Sequence, residues 1–254
     1  MILAIDIGNT AITLGRIQGG RVIARAQVPA APTQAILREQ LGAAVRKLCR
    51  KKCPEDVLIC SVVPSVLKVT EKVIAGHCGL KPTVIGRDIK VPVTNCYRYP
   101  RQVGQDRLVG AYAALKLYGA PVIVVDLGTA ITVDVVSRKK EYLGGIIMPG
   151  IRLSADMLFQ KTALLPKVRI QAPRSVIGRD TQNSILSGIF YGYGEMLTGL
   201  IERVSKEVKG RPKVVITGGY AHLMKKFLAG HVDVIDRDLV LKGIMLIRRI
   251  EDRR

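Results

Sequence analysis

Two segments of the chain share one pattern, in which an apolar run ends in an aspartate and then a glycine. The first segment covers residues 2–10 and the second residues 122–130, at an offset of 120 residues. In both, apolar residues alternate again after a short polar turn. A buried strand, a glycine turn and a second strand predict a β-hairpin that is used twice, which indicates two similarly built halves. Two unrelated apolar strands could match by chance, so the repeat alone leaves that alternative open.

The rest of the chain mixes helical and strand patterns. Apolar residues at helical spacing predict five main helices, over 33–50, 65–75, 106–118, 181–209 and 239–250. Ser65 is the expected cap of the second helix. Continuous apolar runs predict strands over 57–63, 213–217 and 232–235. Strands and helices in both halves predict an α/β fold with two domains, 1–118 and 119–254, joined near Gly119.

Charge is the most unusual feature of the composition. The 254 residues include 40 Lys and Arg against 20 Asp and Glu, a net charge of +20. Such a field attracts polyanions, among them nucleic acids and phosphorylated small molecules. The basic residues are dispersed, and the sequence has no basic arm, zinc-finger spacing or aromatic RNA-binding motif. We therefore expect only nonspecific binding to nucleic acid.

Cysteines and apolar runs indicate the compartment. Five Cys, an odd number without a C-x-x-C pair, argue against a disulfide framework or a zinc ribbon. Cys49 and Cys53 lie four apart at a predicted helix end, but no second pair completes a metal site, so we expect reduced thiols. The apolar runs fall far short of the roughly 20 residues that a membrane span needs. The prediction is a cytoplasmic protein without a membrane partner.

Three aspartates lie in strands that are otherwise aliphatic: Asp6, Asp126 and Asp134. A buried carboxylate is costly unless it is hydrogen-bonded or binds a cation. Each could simply cap its own turn. Asp6 and Asp126, however, are each followed by a glycine and then by hydrogen-bonding residues. Because glycine lets backbone N–H groups approach phosphate oxygens and carboxylates hold metal ions, this pair favours a phosphate and cation site. Asp134 is predicted to be structural.

The sequence has neither a P-loop nor a dinucleotide-binding glycine motif, so a nucleotide site must be of another kind. The duplicated Asp-x-Gly hairpin resembles the actin/Hsp70/sugar-kinase superfamily. That resemblance implies two ribonuclease-H-like lobes (a duplicated actin-like ATPase fold), with ATP in the cleft and its phosphates between the two hairpins. Gly218-Gly219, after a predicted strand, resembles the superfamily's adenosine loop.

Eight motifs in order resemble the type III pantothenate kinases over essentially the whole chain. They are 6–10 (DIGNT), 61–64 (SVVP), Tyr97 with Pro100 and 104–107 (GQDR), 126–130 (DLGTA), 144–150 (GGIIMPG), 162–166 (TALLP), Gly178 with Thr181, and 239–243 (LVLKG). The resemblance implies ATP-dependent phosphorylation of pantothenate to 4′-phosphopantothenate, the first step of coenzyme A biosynthesis. Two alternatives stay open: a superfamily kinase for another small acceptor, and a non-catalytic transcription accessory relative, to which the positive charge could belong.

The resemblance also implies the residues that act on pantothenate. Asp106 matches the general base that takes the proton of the hydroxyl group. Tyr97, Gly104, Arg107 and Thr181 match positions that contact pantothenate. Thr181 would reach the site from the neighbouring subunit, which implies an obligate homodimer. From the residues alone, Asp106 could equally be a helix N-cap and Arg107 a solvated surface residue.

The resemblance also implies the ATP and cation positions, which lie in the two hairpins. Asp6 matches the residue that holds Mg²⁺ on the phosphates of ATP, and Asp126 matches the site of a monovalent cation, K⁺ or NH₄⁺. The positions that would surround the phosphates are Gly8, Asn9, Thr10, Gly128 and Thr129. Since neither Asp-x-Gly turn carries a Lys, the monovalent cation would balance the charge of the phosphates.

Overall fold

The computed structural model describes residues 1–30, 33–50, 52–208, 210–228 and 230–251. By packing the chain forms two compact units. Unit 1 consists of Met1–Val93, Tyr99–Ala113 and Asp238–Arg254, and unit 2 of Thr94–Arg98 and Ala114–Arg237. The C-terminal segment thus packs with the N-terminal one. The division of the chain into two ribonuclease-H-like lobes, 1–118 and 119–254, remains a prediction.

Eleven strands and seven α-helices are described. The strands are β1 Ile2–Ile7, β2 Ala11–Gln18, β3 Arg21–Pro29, β4 Asp56–Ser61, β5 Thr83–Val84, β6 Thr94–Asn95, β7 Val122–Leu127, β8 Ala130–Val136, β9 Glu141–Pro149, β10 Lys213–Thr217 and β11 Val234–Ile235. The helices are α1 Gln34–Cys49, α2 Pro64–Cys78, α3 Gln105–Tyr118, α4 Ile151–Lys161, α5 Thr181–Glu207, α6 Ala221–Met224 and α7 Leu239–Glu251. The α/β prediction is confirmed.

Both predicted hairpins are present, and each has the same surroundings. In unit 1 the sheet order is β3-β2-β1-β4-β5, with β1 antiparallel to β2 and parallel to β4. In unit 2 the order is β11-β10-β7-β8-β9-β6, with β7 antiparallel to β8 and parallel to β10. Asp6 and Asp126 occupy the same position in their strands, one residue before the last. The internal repeat is therefore structural.

Apart from Asp6, strand β1 is apolar because both of its faces are buried. Leu3 and Ile5 face a core that includes residues of α1 and α2. Ala4 faces the opposite way, toward a second core that includes Tyr112 of α3 and Ile244 of α7. Unit 1 is thus a sheet covered by helices on both faces, and α3 is held by α7.

The core of unit 2 joins its central strand to the long helix α5. Val125 and Leu127 of β7 share a buried cluster with Leu186 and Phe190 of α5. Beside this core the buried Asp134 accepts hydrogen bonds from the Tyr142 hydroxyl group (2.7 Å) and from Thr132 Oγ1 (2.9 Å). Both carboxylate oxygens are therefore satisfied, as a structural residue requires.

The structure corrects the predicted first residues of two helices. Helix α2 begins at Pro64 with Val63 as its N-cap, so Ser65 does not cap it. Proline suits the first helical position because its missing N–H would be unpaired there in any case. Helix α3 begins at Gln105, which places Asp106 inside its first turn rather than at the cap. Within the described residues, no helix is long and apolar enough to cross a membrane.

Candidate active site

The first Asp-x-Gly corner lies at the end of β1 in unit 1. Gly8 closes the hairpin by donating its N–H to the carbonyl oxygen of Ala11 (3.1 Å). Asn9 and Thr10 are exposed at the tip, whereas Asp6 is half-buried. The corner therefore offers solvent-accessible hydrogen-bonding groups beside a carboxylate that the strand holds in place.

A second carboxylate of unit 1 comes close to this corner. Cys60 lies opposite Asp6 in the parallel pairing of β1 with β4 and is fully buried. Burial raises the pKa of the Cys60 thiol, and the negative charges of Asp6 and Asp106 raise this pKa further. Because both carboxylates act on one buried thiol, the structure brings the predicted Mg²⁺ ligand and the predicted base together, although they lie 100 residues apart in the sequence.

The surroundings of Asp106 favour a basic carboxylate. Burial raises its pKa above the ordinary value, and the backbone N–H of Arg107, which donates to Oδ1 at 2.8 Å, partly opposes that rise. The positive charge of Arg107 also lowers the pKa, but burial dominates. A carboxylate with a raised pKa accepts protons more readily than an exposed aspartate, as a general base should.

Gly104 is required by the position of Asp106. A Cβ atom at residue 104 would lie closer than 3 Å to Asp106 Oδ1 and 3.4 Å from Val62 Cγ1. Val62 belongs to the loop after β4, which is fixed by hydrogen bonds from Val62 N–H to the Ile7 carbonyl (3.1 Å) and from Val63 N–H to Ser61 Oγ (3.1 Å). The Ser-Val-Val-Pro and Gly-Gln-Asp-Arg motifs therefore meet at the catalytic candidate.

The second corner, in unit 2, is built from closely packed glycines. Asp126 Oδ1 lies 3.3 Å from the place of a Cβ atom at Gly128 and closer still to that of Gly218. Gly218 has a positive φ of 91°, which favours glycine, and the next residue but one, Tyr220, donates its N–H to Leu127 O (3.2 Å). A Cβ atom at Gly150 would also lie closer than 3 Å to the backbone carbonyl oxygens of residues 128 and 129. The Gly-Gly loop thus contacts the Asp126 hairpin directly.

The pantothenate-contacting residues predicted in unit 2 are Tyr97 and Thr181, which lie far apart in the sequence. A Cβ atom at Gly144 would lie 3.0 Å from the ring of Tyr97, so the Gly-Gly motif at 144 makes room for that ring. The backbone N–H of Tyr97 is held by Asn95 Oδ1 at 3.0 Å. Thr181 is exposed as the first residue of α5, whose N-cap is Asp180. The contacts of Tyr97 and Thr181 with pantothenate remain predictions.

Unit 1 brings together Asp6, Gly104 and Asp106, with Arg107 next to Asp106. Unit 2 brings together Asp126, Gly128 and Gly218. Sequence reasoning missed Cys60, the buried thiol that both carboxylates of unit 1 affect, and Val62, which lies beside Gly104. The signal that could have found Cys60 is its place in β4, whose parallel pairing with β1 sets it beside Asp6.

The donor set of the first corner fits Mg²⁺. In nucleotide sites this ion typically takes one or two carboxylates, water and phosphate oxygens rather than a cage of protein ligands. Asp6 supplies such a carboxylate, and the exposed Asn9 and Thr10 leave room for water and phosphate oxygens beside it. Consistent with this, the described part of the chain has no group of three or more His, Cys, Asp or Glu that could hold a metal ion alone.

A cavity of about 520 Å³ lies in unit 2, away from every predicted site residue. Its lining includes Glu202, Lys206, Arg211 and Asp233. Because acidic and basic side chains alternate around it, its charge does not single out a ligand, and the aspartate corners remain the better site.

Comparisons with known proteins agree with the geometry. The family model described as type III pantothenate kinase matches residues 2–203. A type III pantothenate kinase of Persephonella marina is 42% identical over 248 residues, which is 96% of each chain. Among solved structures, a ROK family glucokinase from Streptomyces griseus covers 98% of this chain and 99% of its own, with a TM-score of 0.57 and 14% identity. A Campylobacter jejuni protein assigned to the Baf family of transcriptional activators covers 99% and 100%, with a TM-score of 0.58 and 20% identity. At these identities the two structures show the fold, which is that of the actin-like ATPases and sugar kinases, as predicted.

Proposed function

Because the chain belongs to the type III pantothenate kinase family, we propose that it transfers the γ-phosphoryl group of ATP to the primary hydroxyl group of pantothenate. The product is 4′-phosphopantothenate, at the start of coenzyme A biosynthesis. The observation that carries the proposal is that Asp6 and Asp106 both act electrostatically on the buried Cys60 in unit 1. It supports the proposal because phosphoryl transfer to an alcohol needs a cation ligand and a base in the same site.

Asp106 is the general base in this proposal. Its carboxylate accepts the proton of the pantothenate hydroxyl group as the oxygen attacks phosphorus. Burial, which raises the pKa of Asp106, makes the proton transfer more favourable. Arg107, the next residue, binds substrate oxygens, since a guanidinium group pairs with carboxylates through two hydrogen bonds.

Asp6 holds Mg²⁺ with ATP, and the backbone of Gly8 and the side chains of Asn9 and Thr10 donate to phosphate oxygens. When bound, the ion neutralises charge on those oxygens. Gly128 and Thr129 make the equivalent contacts at the second hairpin, where Asp126 takes K⁺ or NH₄⁺.

Three further residues bind pantothenate: Tyr97, Gly104 and Thr181. Thr181 reaches the site from the neighbouring subunit, so the enzyme is a homodimer. The exposed position of Thr181 supports this, since the residue is free to reach another subunit. Unit 2 also exposes several large apolar side chains, which is typical of a surface that another chain covers. They are Leu117, Leu143, Ile147, Leu153, Met157, Phe159, Leu164, Val176, Ile177 and Met196.

The cytoplasm, where ATP is abundant, is the expected compartment. The five cysteines are free, as reducing conditions there require. Neither the alternative acceptor nor the non-catalytic transcription accessory role is favoured by an observation, and the charge of +20 supports only nonspecific attraction of nucleic acid.

The experiment is product analysis with competing acceptors. The purified protein is incubated with ATP, Mg²⁺ and K⁺, and with pantothenate, glucose or acetate in separate reactions. Mass spectrometry should detect phosphopantothenate and no phosphorylated glucose or acetate. Turnover of glucose or acetate without turnover of pantothenate would assign the chain to another acceptor. Absence of all three products from folded protein would favour the accessory role.

A further inference from the structure

Three cysteines of unit 1 lie at the ends of two neighbouring helices. Cys49 is the last residue of α1 and Cys78 the last residue of α2. The two side chains lie close enough for each to affect the pKa of the other thiol, and Cys53 raises the pKa of both. The sequence shows only the spacing of Cys49 and Cys53. The fold supplies the third thiol.

Contacts beside the thiols fix the two helix ends against each other. Arg46 Nη1 lies 2.9 Å from His77 Nε2, one residue before Cys78. On the same side of α1, a Cβ atom at Gly42 would lie 3.0 Å from His77 Nε2, so the helices are in close contact. Both Cys49 and Cys78 also pack against the apolar core between α1, α2 and the sheet. The pair is thus held together by the packing of the helices.

We propose that Cys49 and Cys78 are a redox-active thiol pair that closes to a disulfide when the protein meets a small-molecule disulfide such as oxidised glutathione. The same thiols do not suit a metal, because the described residues contain no group of three or more His, Cys, Asp or Glu placed to hold one.

The exchange proceeds in two balanced steps. The thiolate of one cysteine attacks a sulfur of oxidised glutathione, which breaks the S–S bond, forms a mixed disulfide and releases one glutathione thiolate. The thiolate of the second cysteine then attacks the protein sulfur of the mixed disulfide and releases the second glutathione. The two protons lost by the cysteines are taken up by the two glutathione thiolates, so two thiols are oxidised and one disulfide is reduced.

Burial makes the pair slow to react at neutral pH. It raises the pKa of Cys49 to about 11, and the neighbouring Cys78 thiol contributes to the rise. Since the thiolate is the attacking species, the pair should close slowly near pH 7 and faster as the pH rises. Such a pair responds to sustained oxidation and leaves the reduced protein unchanged under reducing conditions.

Closure should stabilise unit 1 without altering the proposed active site. The new bond would close residues 49–78, a stretch that contains β4 and all of α2, and so would restrict the unfolded chain. The site-forming loop at Ser61 to Pro64 is at the opposite end of α2. That helix has 15 residues, or roughly 22 Å of length.

The test is disulfide mapping of the folded wild-type protein. Incubation with oxidised glutathione at pH 8.5, followed by thiol blocking, should give a species with one internal disulfide that dithiothreitol reverses. Trypsin distinguishes the pairings, because it cleaves between Cys49 and Cys53 and places Cys49 on 48–50, Cys53 on 53–68 and Cys78 on 73–87. A peptide joining 48–50 to 73–87 is expected, and Tm should rise by roughly 5–10 °C over the reduced protein.

Variants separate this pair from incidental oxidation. Cys49→Ser and Cys78→Ser should each abolish the linked peptide and the shift in Tm, whereas Cys53→Ser and Cys96→Ser should retain both. Linkage of Cys49 to Cys53, a stable glutathione adduct without closure, or an unchanged Tm would each overturn the proposal. Wild-type mapping decides the question even where a serine variant fails to fold. Because the readouts are peptide masses and Tm, they stand whether or not the protein phosphorylates pantothenate.

Discussion

The Asp106 carboxylate occupies the space that a side chain at Gly104 would need. A Cβ atom on residue 104 would lie closer than 3 Å to Asp106 Oδ1. The carboxylate also receives the backbone N–H of Arg107, so it is fixed from two sides. The glycine of the Gly-Gln-Asp-Arg motif therefore leaves the space that the carboxylate of the proposed base occupies, in addition to its predicted contact with pantothenate.

Gly104→Ala should move the carboxylate and lower kcat by roughly 10²-fold, because a small misplacement of a reacting group is costly. Gly76→Ala is the matched control, since a Cβ atom at that position on α2 meets nothing within 4 Å. Steady-state assays with circular dichroism of both variants measure the effect. Equal kcat values for Gly104→Ala and wild type would show that the carboxylate has room to shift without consequence.

The pH dependence of catalysis should report the raised pKa of Asp106. The base is active as a carboxylate, so kcat/KM falls as the pH drops through its pKa. Because burial raises that pKa above the ordinary 3.8, the acidic limb of the profile should lie at higher pH than an exposed aspartate would give. The measurement is kcat/KM for pantothenate between pH 4 and 9 at saturating ATP. An acidic limb at or below pH 4 would contradict the electrostatic argument.

A monovalent cation should stimulate the enzyme through Asp126. Activity in K⁺ or NH₄⁺ is expected to exceed activity in a bulky organic cation, and Asp126→Asn should remove the difference, since the oxygen that holds the ion loses its charge. The control is Glu39→Gln, which removes one negative charge from an exposed residue of α1. An Asp126→Asn protein that still responds fully to K⁺ would place the cation elsewhere.

Gly243 is where α7 contacts α3 within unit 1. A Cβ atom there would lie 2.6 Å from the carbonyl oxygen of Val109 and 3.1 Å from Ala113 Cβ. Gly243→Ala should therefore lower the free energy of unfolding by about 1–3 kcal/mol, the cost of overpacking. The same change at an open helical position, Gly76→Ala, should raise it by about 0.5–1 kcal/mol. Urea denaturation compares the two, and a stabilised Gly243→Ala protein would show that α7 shifts freely.

The two hairpins could be predicted because everything that determines them is local. An apolar strand, the aspartate, the glycine turn and the next alternating strand are continuous in sequence, at Asp6 as at Asp126. The helix starts were less accessible, since Ser65 and Pro64 both suit a helix N-terminus and the geometry of the preceding loop decides between them. These errors are of one or two residues and do not affect the fold.

The surroundings of the carboxylates could not be predicted, because they depend on pairing over long distances. Cys60 lies beside Asp6 only through the parallel register of β1 with β4, and Asp106 affects the same thiol from a helix that begins at Gln105. Cys78 comes near Cys49 for the same kind of reason. A single sequence suggests candidate residues, and the packing of sheets and helices shows which of them lie near one another.

The most direct test of Asp106 as the base is the kcat of Asp106→Asn at saturating pantothenate, ATP and Mg²⁺. The matched control is the kcat of Glu39→Gln under the same conditions. The amide keeps the shape of the side chain and removes a buried charge that raises the pKa of Cys60, so the variant should fold at least as stably as wild type at pH 7. Its kcat should nevertheless fall by roughly 10²-fold or more, while Glu39→Gln stays near wild type. A folded Asp106→Asn enzyme with a near-normal kcat would contradict the assignment of Asp106 as the base.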